Sequence, residues 1–266
     1  MSSWWQPRYI RRRRQIVGTF AKHGLDYFIH RFGLDNLAPV SWRTNPGIKQ
    51  PADQQLARNL REALVELGPT FVKLGQVLST RPDILPPVYI EELEKLQDKV
   101  DPVSYEEIIW VLSQEIGKPE EVFAEFNPEP LAAASIGQVH QARLKGGEKV
   151  IVKIQSPGIV ENVKSDLEII KGLAHVSETR SPEARRLGLL GMVEYYAKTL
   201  LRELDYEREA RNTERVYNNF AKDKRVIIPR VYREVSTPRV LVEEYIPGIK
   251  LSDVKAMDER GWDRGQ

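Results

Sequence analysis

The sequence predicts an α+β protein: an all-helical N-terminal part, then a small antiparallel sheet packed against a long helix. Three observations carry this. Apolar residues recur at helical spacing through residues 52–118. Strict alternation replaces that spacing on either side of Lys145-Gly146-Gly147-Glu148. Helical spacing returns over 158–178 and 187–221, and two further short alternating runs follow at 230–235 and 240–245.

The bulk composition narrows the classes of function. The 266 residues suffice for one large domain or one and a half ordinary ones. No Cys occurs, which excludes a disulfide framework, a Cys zinc site and a thiol nucleophile. No run of 18 apolar residues exists and the N-terminus has no apolar signal core, so neither a membrane span nor a signal peptide is expected. The net charge of +2 divides unevenly: residues 1–50 carry nine Lys/Arg and two acids, which leaves −5 on the remainder. A basic head on a mildly acidic body points to an anionic surface as partner, with the cytoplasmic side and a peripheral membrane position as the expected location.

Each element follows from its own residues. Val17, Ala21, Leu25, Phe28 and Phe32 step by three and four, as one face of a helix does. With Trp4, Trp5 and Arg11 to Arg14 nearby, residues 4–32 fit either a helix lying on a membrane surface or one docked on the rest of the protein. Residues 39–52, with Pro39, Pro46, Gly47 and Pro51, read as a linker. Leu56, Leu60, Leu64 and Leu67 line a helix that Gly68-Pro69 stops, and Pro69 suits the first turn of the next. A helix over 87–97 follows, then one over 105–117, where Ser104 and Glu107 form a capping-box pattern. The character changes at Pro128. A strand through Val139 and Leu144, a Gly-Gly turn with positive φ at both glycines, and a strand over 150–155 make a hairpin. Pro247-Gly248 ends the last strand, and residues 250–266 begin another helix.

Two positions stand out chemically. Lys73 and Gln76 lie three apart on one face of an otherwise apolar helix, so both must point at something wet or charged. Lys153 sits in the apolar run Val150-Ile-Val-Lys153, where burial is costly without a carboxylate or phosphate. Glu209 on the long helix is the candidate carboxylate. The order of hairpin, strand Lys, acidic helix, strands and Glu243-Glu244-Tyr245 is that of a protein-kinase small lobe. Taken alone, Glu203, Asp205, Glu207 and Glu209 also fit ordinary i,i+4 pairs with Arg202, Arg208 and Arg211 on a wet helix face.

Four motifs together carry a more specific resemblance. Lys73-Leu-Gly-Gln76, the Ala-rich Ala132-Ala133-Ala134-Ser135-Ile136-Gly137-Gln138-Val139, Val-Lys-Ile-Gln at 152–155 and Glu203-Leu-Asp205-Tyr-Glu-Arg-Glu209-Ala-Arg-Asn212 stand in the order found in the UbiB family of atypical kinase-like proteins. The match spans roughly residues 50–250. The resemblance implies a kinase-like fold, ATP with Mg2+, and a role in isoprenoid-quinone biosynthesis or membrane lipid homeostasis. It also implies that the Lys-x-Gly-Gln helix belongs to an extension folded over the substrate-docking region, where Lys73 and Gln76 reach the nucleotide and work with Glu203 and Asp205. Residues 132–137, Val139, Lys153, Glu243 and Tyr245 would then contact the nucleotide. Alanine in place of glycine adds Cβ atoms to the phosphate loop, so an altered grip on the nucleotide is expected.

The resulting division is a basic segment over 1–50, a helical extension over 51–125, a kinase-like small lobe over 126–250 and the start of a further lobe over 251–266. Only 21 residues follow Tyr245, without a His or an Asp-Phe-Gly. A catalytic loop and the metal-binding residues are therefore expected downstream, on a continuation or a complementing chain. Two classes of function stay open: an ATPase or kinase represented by its N-terminal part, and a non-catalytic module that binds a membrane or a partner. No nucleic-acid motif accompanies the basic cluster.

Overall fold

The computed structural model describes residues 7–35, 53–96, 102–249 and 253–261. Trp4-Trp5 and the 39–52 linker lie outside the described residues.

The N-terminal amphipathic pattern forms two helices rather than one: α1 (Pro7–Lys22) and α2 (Asp26–Arg31). Gly24 turns the chain between them with a φ of +67°. Their apolar side is docked, with Tyr9, Ile16, Val17, Leu25 and Ile29 all buried. Of the two sequence alternatives, packing follows the docked one, with Ala21, Phe28 and Phe32 of the same face half-buried. Arg12 is drawn in as well. It donates to Asp166 at 2.7 and 2.9 Å and to the Leu67 carbonyl at 2.6 Å.

Helices α3 (Asp53–Leu67), α4 (Pro69–Ser79) and α5 (Pro87–Leu93) follow. Gly75 lets α4 press closely on its neighbours. A Cβ there would lie 2.3 Å from Leu96 Cδ1 and 2.9 Å from Leu64 Cδ1. α6 (Tyr105–Ile116) starts at Ser104, whose hydroxyl accepts from the Glu107 amide and donates to the Glu107 carboxylate. A short α7 (Pro119–Val122) leads into the sheet.

The sheet has four strands in the order β1 (Phe123–Ala134), β2 (Gly137–Leu144), β3 (Lys149–Gln155) and β4 (Val240–Glu244), each antiparallel to the next. The β2–β3 turn takes positive φ at Gly147 alone, the form of a three-residue hairpin closed by a left-handed glycine. Between β3 and β4 lie α8 (Ile159–Arg180), α9 (Pro182–Leu187), α10 (Leu189–Glu203) and α11 (Tyr206–Phe220). A short α12 (Val254–Glu259) comes last.

Three further sequence expectations change. The helix expected over 187–221 is broken at Leu204–Asp205, because the Asp205 side chain accepts from the Arg208 amide at 3.0 Å and caps a new helix. Residues 230–235 form no strand: Val231 makes a single bridge to Glu243, and Arg233–Val235 is a 3-10 turn. The sheet begins at Phe123, before the expected change at Pro128, so Ala132 to Ala134 are strand residues.

Packing does not follow the sequence intervals. One core joins Tyr9, Ile16, Leu64, Phe71, Leu93, Ile169, Ile170 and Val193, so α8 and α10 belong with the helical body. A second joins Ile108, Val111 and Leu112 of α6 to Val150, Val152, Ile154, Val240 and Val242, so α6 covers one face of the sheet. On the other face Tyr206 and Ala210 of α11 pack on Leu241. Lys153 emerges on that α11 side, since its neighbours Val152 and Ile154 point into the α6 core.

Candidate functional site

Lys153 stands opposite Val139 of β2 and Leu241 of β4. Its ammonium donates to both carboxylate oxygens of Glu209, at 2.8 and 2.7 Å. It also lies 4.8 Å from the centre of the Tyr206 ring. Tyr206 and Glu209 are three apart on α11 and so share one helix face. The pair is partly open, with side-chain exposures of 29% and 40%. Exposed pairs of this kind contribute only about 0–1 kcal/mol, so its value lies in position rather than stability.

Glu243 reaches the same region from β4 and is buried. Burial pushes its carboxyl above the ordinary carboxylate range, and the Glu209 charge adds to this; a hydrogen bond to Thr213 and the Lys153 charge oppose it. Glu209, Glu243 and Thr213 line a cleft of about 440 Å³ with Arg202 and Arg208 among its other walls. Tyr245 is half-buried, and its amide is used in donating to the Lys149 carbonyl at 3.0 Å.

Residues 132–137 close tightly. Ala132, Ala133 and Ala134 pair with Val139, Gln138 and Gly137, and only Ser135 and Ile136 make the turn. Neither takes positive φ. Both are buried, and Ile136 packs with Ile159, Val163, Leu200 and Leu204, beside Leu74 and Val77 of α4. The expected Ala-rich loop is thus a strand end and a two-residue turn seated on the helical body. Gly137 is required there: a Cβ would lie 2.3 Å from the Ile154 carbonyl oxygen and 2.9 Å from the Tyr206 hydroxyl.

The remaining candidates meet at the α10–α11 joint. Lys73 lies 3.5 Å from the Glu203 carboxylate. Gln76 donates to the Leu96 carbonyl at 3.3 Å, within the helical body. The two acids of Glu203-Leu-Asp205 diverge: Glu203 faces Lys73, and Asp205 caps α11 and lies 3.6 Å from Arg211. Gln155, the last residue of Val-Lys-Ile-Gln, donates to the Leu204 carbonyl between them at 2.6 Å. Tyr196 of α10 donates to the Thr70 carbonyl and ties α10 to the start of α4.

Sequence reasoning missed Tyr206, Thr213 and the structural part of Gln155. Tyr206 had one available signal, its spacing of three from Glu209. A further group was missed on the far side of the hairpin. His140 is fully buried; its Nδ1 meets the Asn127 carbonyl at 2.8 Å and its Nε2 meets Gln138 Nε2 at 2.8 Å. An Nδ1–H tautomer satisfies both, since the amide must donate to Nε2.

Residues 95–266 match the ABC1 atypical kinase-like domain. The chain is 41% identical over 225 residues to "Probable protein kinase UbiB" of Azotobacter vinelandii, covering 84% of this chain and 42% of that protein. It is 41% identical over 212 residues to "Protein ACTIVITY OF BC1 COMPLEX KINASE 8, chloroplastic" of Arabidopsis thaliana, covering 79% and 28%. Among solved structures, the complex of Rv3197 with erythromycin from Mycobacterium tuberculosis superposes with a TM-score of 0.53 at 31% identity, covering 78% of this chain and 53% of that one. The chain spans less than half the length of these two curated relatives.

Proposed function

Since the chain belongs to the ABC1 atypical kinase-like family, we propose that it is the sheet-bearing part of an ATP-binding protein in which Lys153 contacts nucleotide phosphate and Glu209 holds that lysine in place. The bidentate Lys153–Glu209 pair carries the reading, because a strand lysine fixed by a helix glutamate is the arrangement phosphoryl-transfer proteins of this kind use. ATP fits the residues present: the lysine is partly exposed, and Arg202 and Arg208 stand beside Glu209 to meet further negative charge. Among the described residues no three His, Asp or Glu are grouped closely enough to hold a metal. Mg2+ enters the reading with the nucleotide, its protein ligands being those expected downstream.

Helix α4 is the second part of the proposal. Lys73, held near Glu203, stands guard over the joint from which α11, the helix that carries Glu209, starts. The activity served is ATP hydrolysis or phosphoryl transfer in support of isoprenoid-quinone biosynthesis or membrane lipid homeostasis. No helix among the described residues is long and apolar enough to cross a membrane. Any contact with an anionic lipid surface would rest on Arg11 and Arg14, the exposed members of the basic run. Titrating MgATP against the chain tests the nucleotide reading. Lys153→Ala is expected to weaken binding at least about tenfold, the loss of one charge-assisted phosphate contact. Equal affinity in the variant would remove the lysine from the reading.

A further inference from the structure

The surroundings of the Lys153 ammonium are only half described by Glu209. The carboxylate meets it from one direction, and the face of Tyr206 lies 4.8 Å away. Tyr206 is completely buried, among the largest side chains in the protein with no exposure at all. Its ring is clamped by Ala210, Val231 and Leu241. Its amide donates to the Pro238 carbonyl, and its hydroxyl abuts Gly137 at the end of the Ala-rich turn. The hydroxyl has no hydrogen-bond partner. An aliphatic residue would fill the same cluster, so packing alone does not explain an aromatic ring facing the ammonium.

We infer that Tyr206 is a positioning residue for Lys153: its ring face holds the ammonium by a cation–π contact, so that lysine, Glu209 carboxylate and the Gly137 turn keep one register. The inference rests on the reading of Lys153 as the phosphate-contacting lysine. The aromatic face is the functional part, because it attracts the cation without neutralising it, and a later phosphate can still compete for the charge. A second carboxylate at that place would hold the lysine too firmly. Removing the hydroxyl should cost little, since the hydroxyl is itself a buried group that has no partner.

The test reads the acylation rate of Lys153 in the full chain, by mass spectrometry, with an amine-selective ester at fixed pH and no nucleotide. Tyr206→Phe is expected to match the wild type. Tyr206→Leu is expected to raise the rate about three- to tenfold, the equivalent of a lost cation–π contact. Leu112→Ala, in the core on the other face of the sheet, lowers stability without touching the ring and is expected to leave the rate within about twofold. A fluorinated phenylalanine series at position 206 keeps shape while draining the ring's negative face, so the rate should climb with each fluorine even if Tyr206→Leu does not fold. A flat series, or a rise in Leu112→Ala equal to that in Tyr206→Leu, would reduce Tyr206 to a packing residue. Because no nucleotide is present, that outcome is separate from a failure of the ATP reading, which shows instead as MgATP giving Lys153 no protection.

Discussion

Gln155 on β3 donates its side-chain N–H to the carbonyl of Leu204 at 2.6 Å, across 49 residues of chain. That bond fastens the end of the strand bearing Lys153 to the joint between α10 and α11. Helix α11 carries Glu209, and α10 carries Glu203, which faces Lys73. One amide therefore links the ion pair of the sheet to the ion pair of the helical extension. Gln155→Leu is expected to destabilise the chain by about 1–3 kcal/mol, the cost of a buried carbonyl losing its partner. Chemical denaturation measures it. Faster hydrogen exchange should be confined to the start of α11.

Two glycines of the motifs should differ in tolerance. At Gly75 an added Cβ meets the flexible ends of Leu96 and Leu64, whereas at Gly137 it meets the Ile154 backbone carbonyl. Gly75→Ala is expected to cost about 1–3 kcal/mol as overpacking, and Gly137→Ala more, because a strand cannot shift as a leucine can. Parallel denaturation curves of the two variants give the order.

Arg12 marks a charge that the sequence places on the surface and the fold takes inside. Asp166 keeps only 5% side-chain exposure beneath it. Arg12→Ala strands that carboxylate and is expected to cost about 3 kcal/mol. Arg11→Gln and Arg14→Gln, both at exposed positions, should be close to neutral by the same thermal melt.

Acid sensitivity has a specific source in the hairpin. Burial holds the His140 imidazole below its ordinary 6.5, and the hydrogen bond to the Asn127 carbonyl opposes this only in part. The unfolded chain therefore takes up the proton first. Stability is full above about pH 6.5 and falls as pH drops from there toward the folded value. His140→Gln should flatten that fall in denaturation midpoints measured between pH 7 and about pH 5.

Glu243 gives the opposite sign. Burial raises its carboxyl, so the folded chain keeps the proton longer, and stability is lost as pH rises from the ordinary 4.5 through the folded value. Glu243→Gln should raise the melting temperature by a few degrees at pH 8, with the gain vanishing near pH 4.5. A gain equal at both pH values would assign the effect to packing.

The motifs were legible because each is contiguous: Lys73 to Gln76, 132–139, 152–155 and 203–209 are short runs whose residue types conflict with an ordinary core or surface. The pairing of Lys153 with Glu209 was legible too, since a strand lysine needs a carboxylate and one helix offered it. What joins the motifs was not. Gln155 to Leu204 and Gly137 to Tyr206 are long-range contacts that no spacing encodes. The break at Asp205 hid inside a charged run that also fits a continuous wet helix, because an Asp that caps and an Asp that faces water look alike in sequence. Strand β1 hid behind Asn127, Pro128 and Pro130, residue types that disfavour a strand interior. As the sheet's edge strand it tolerates them through register shifts on the β2 side. The Ala-rich run read as a loop for the same reason: the pairing that makes it a strand lies across the turn.

The central claim is that Lys153, held by Glu209, meets the phosphates of a nucleotide. The most direct measurement is the acylation rate of Lys153 with and without MgATP, with adenosine as control. MgATP is predicted to slow modification of Lys153 several-fold, with adenosine without effect and exposed lysines such as Lys255 unchanged. Equal rates with and without saturating MgATP would contradict the account.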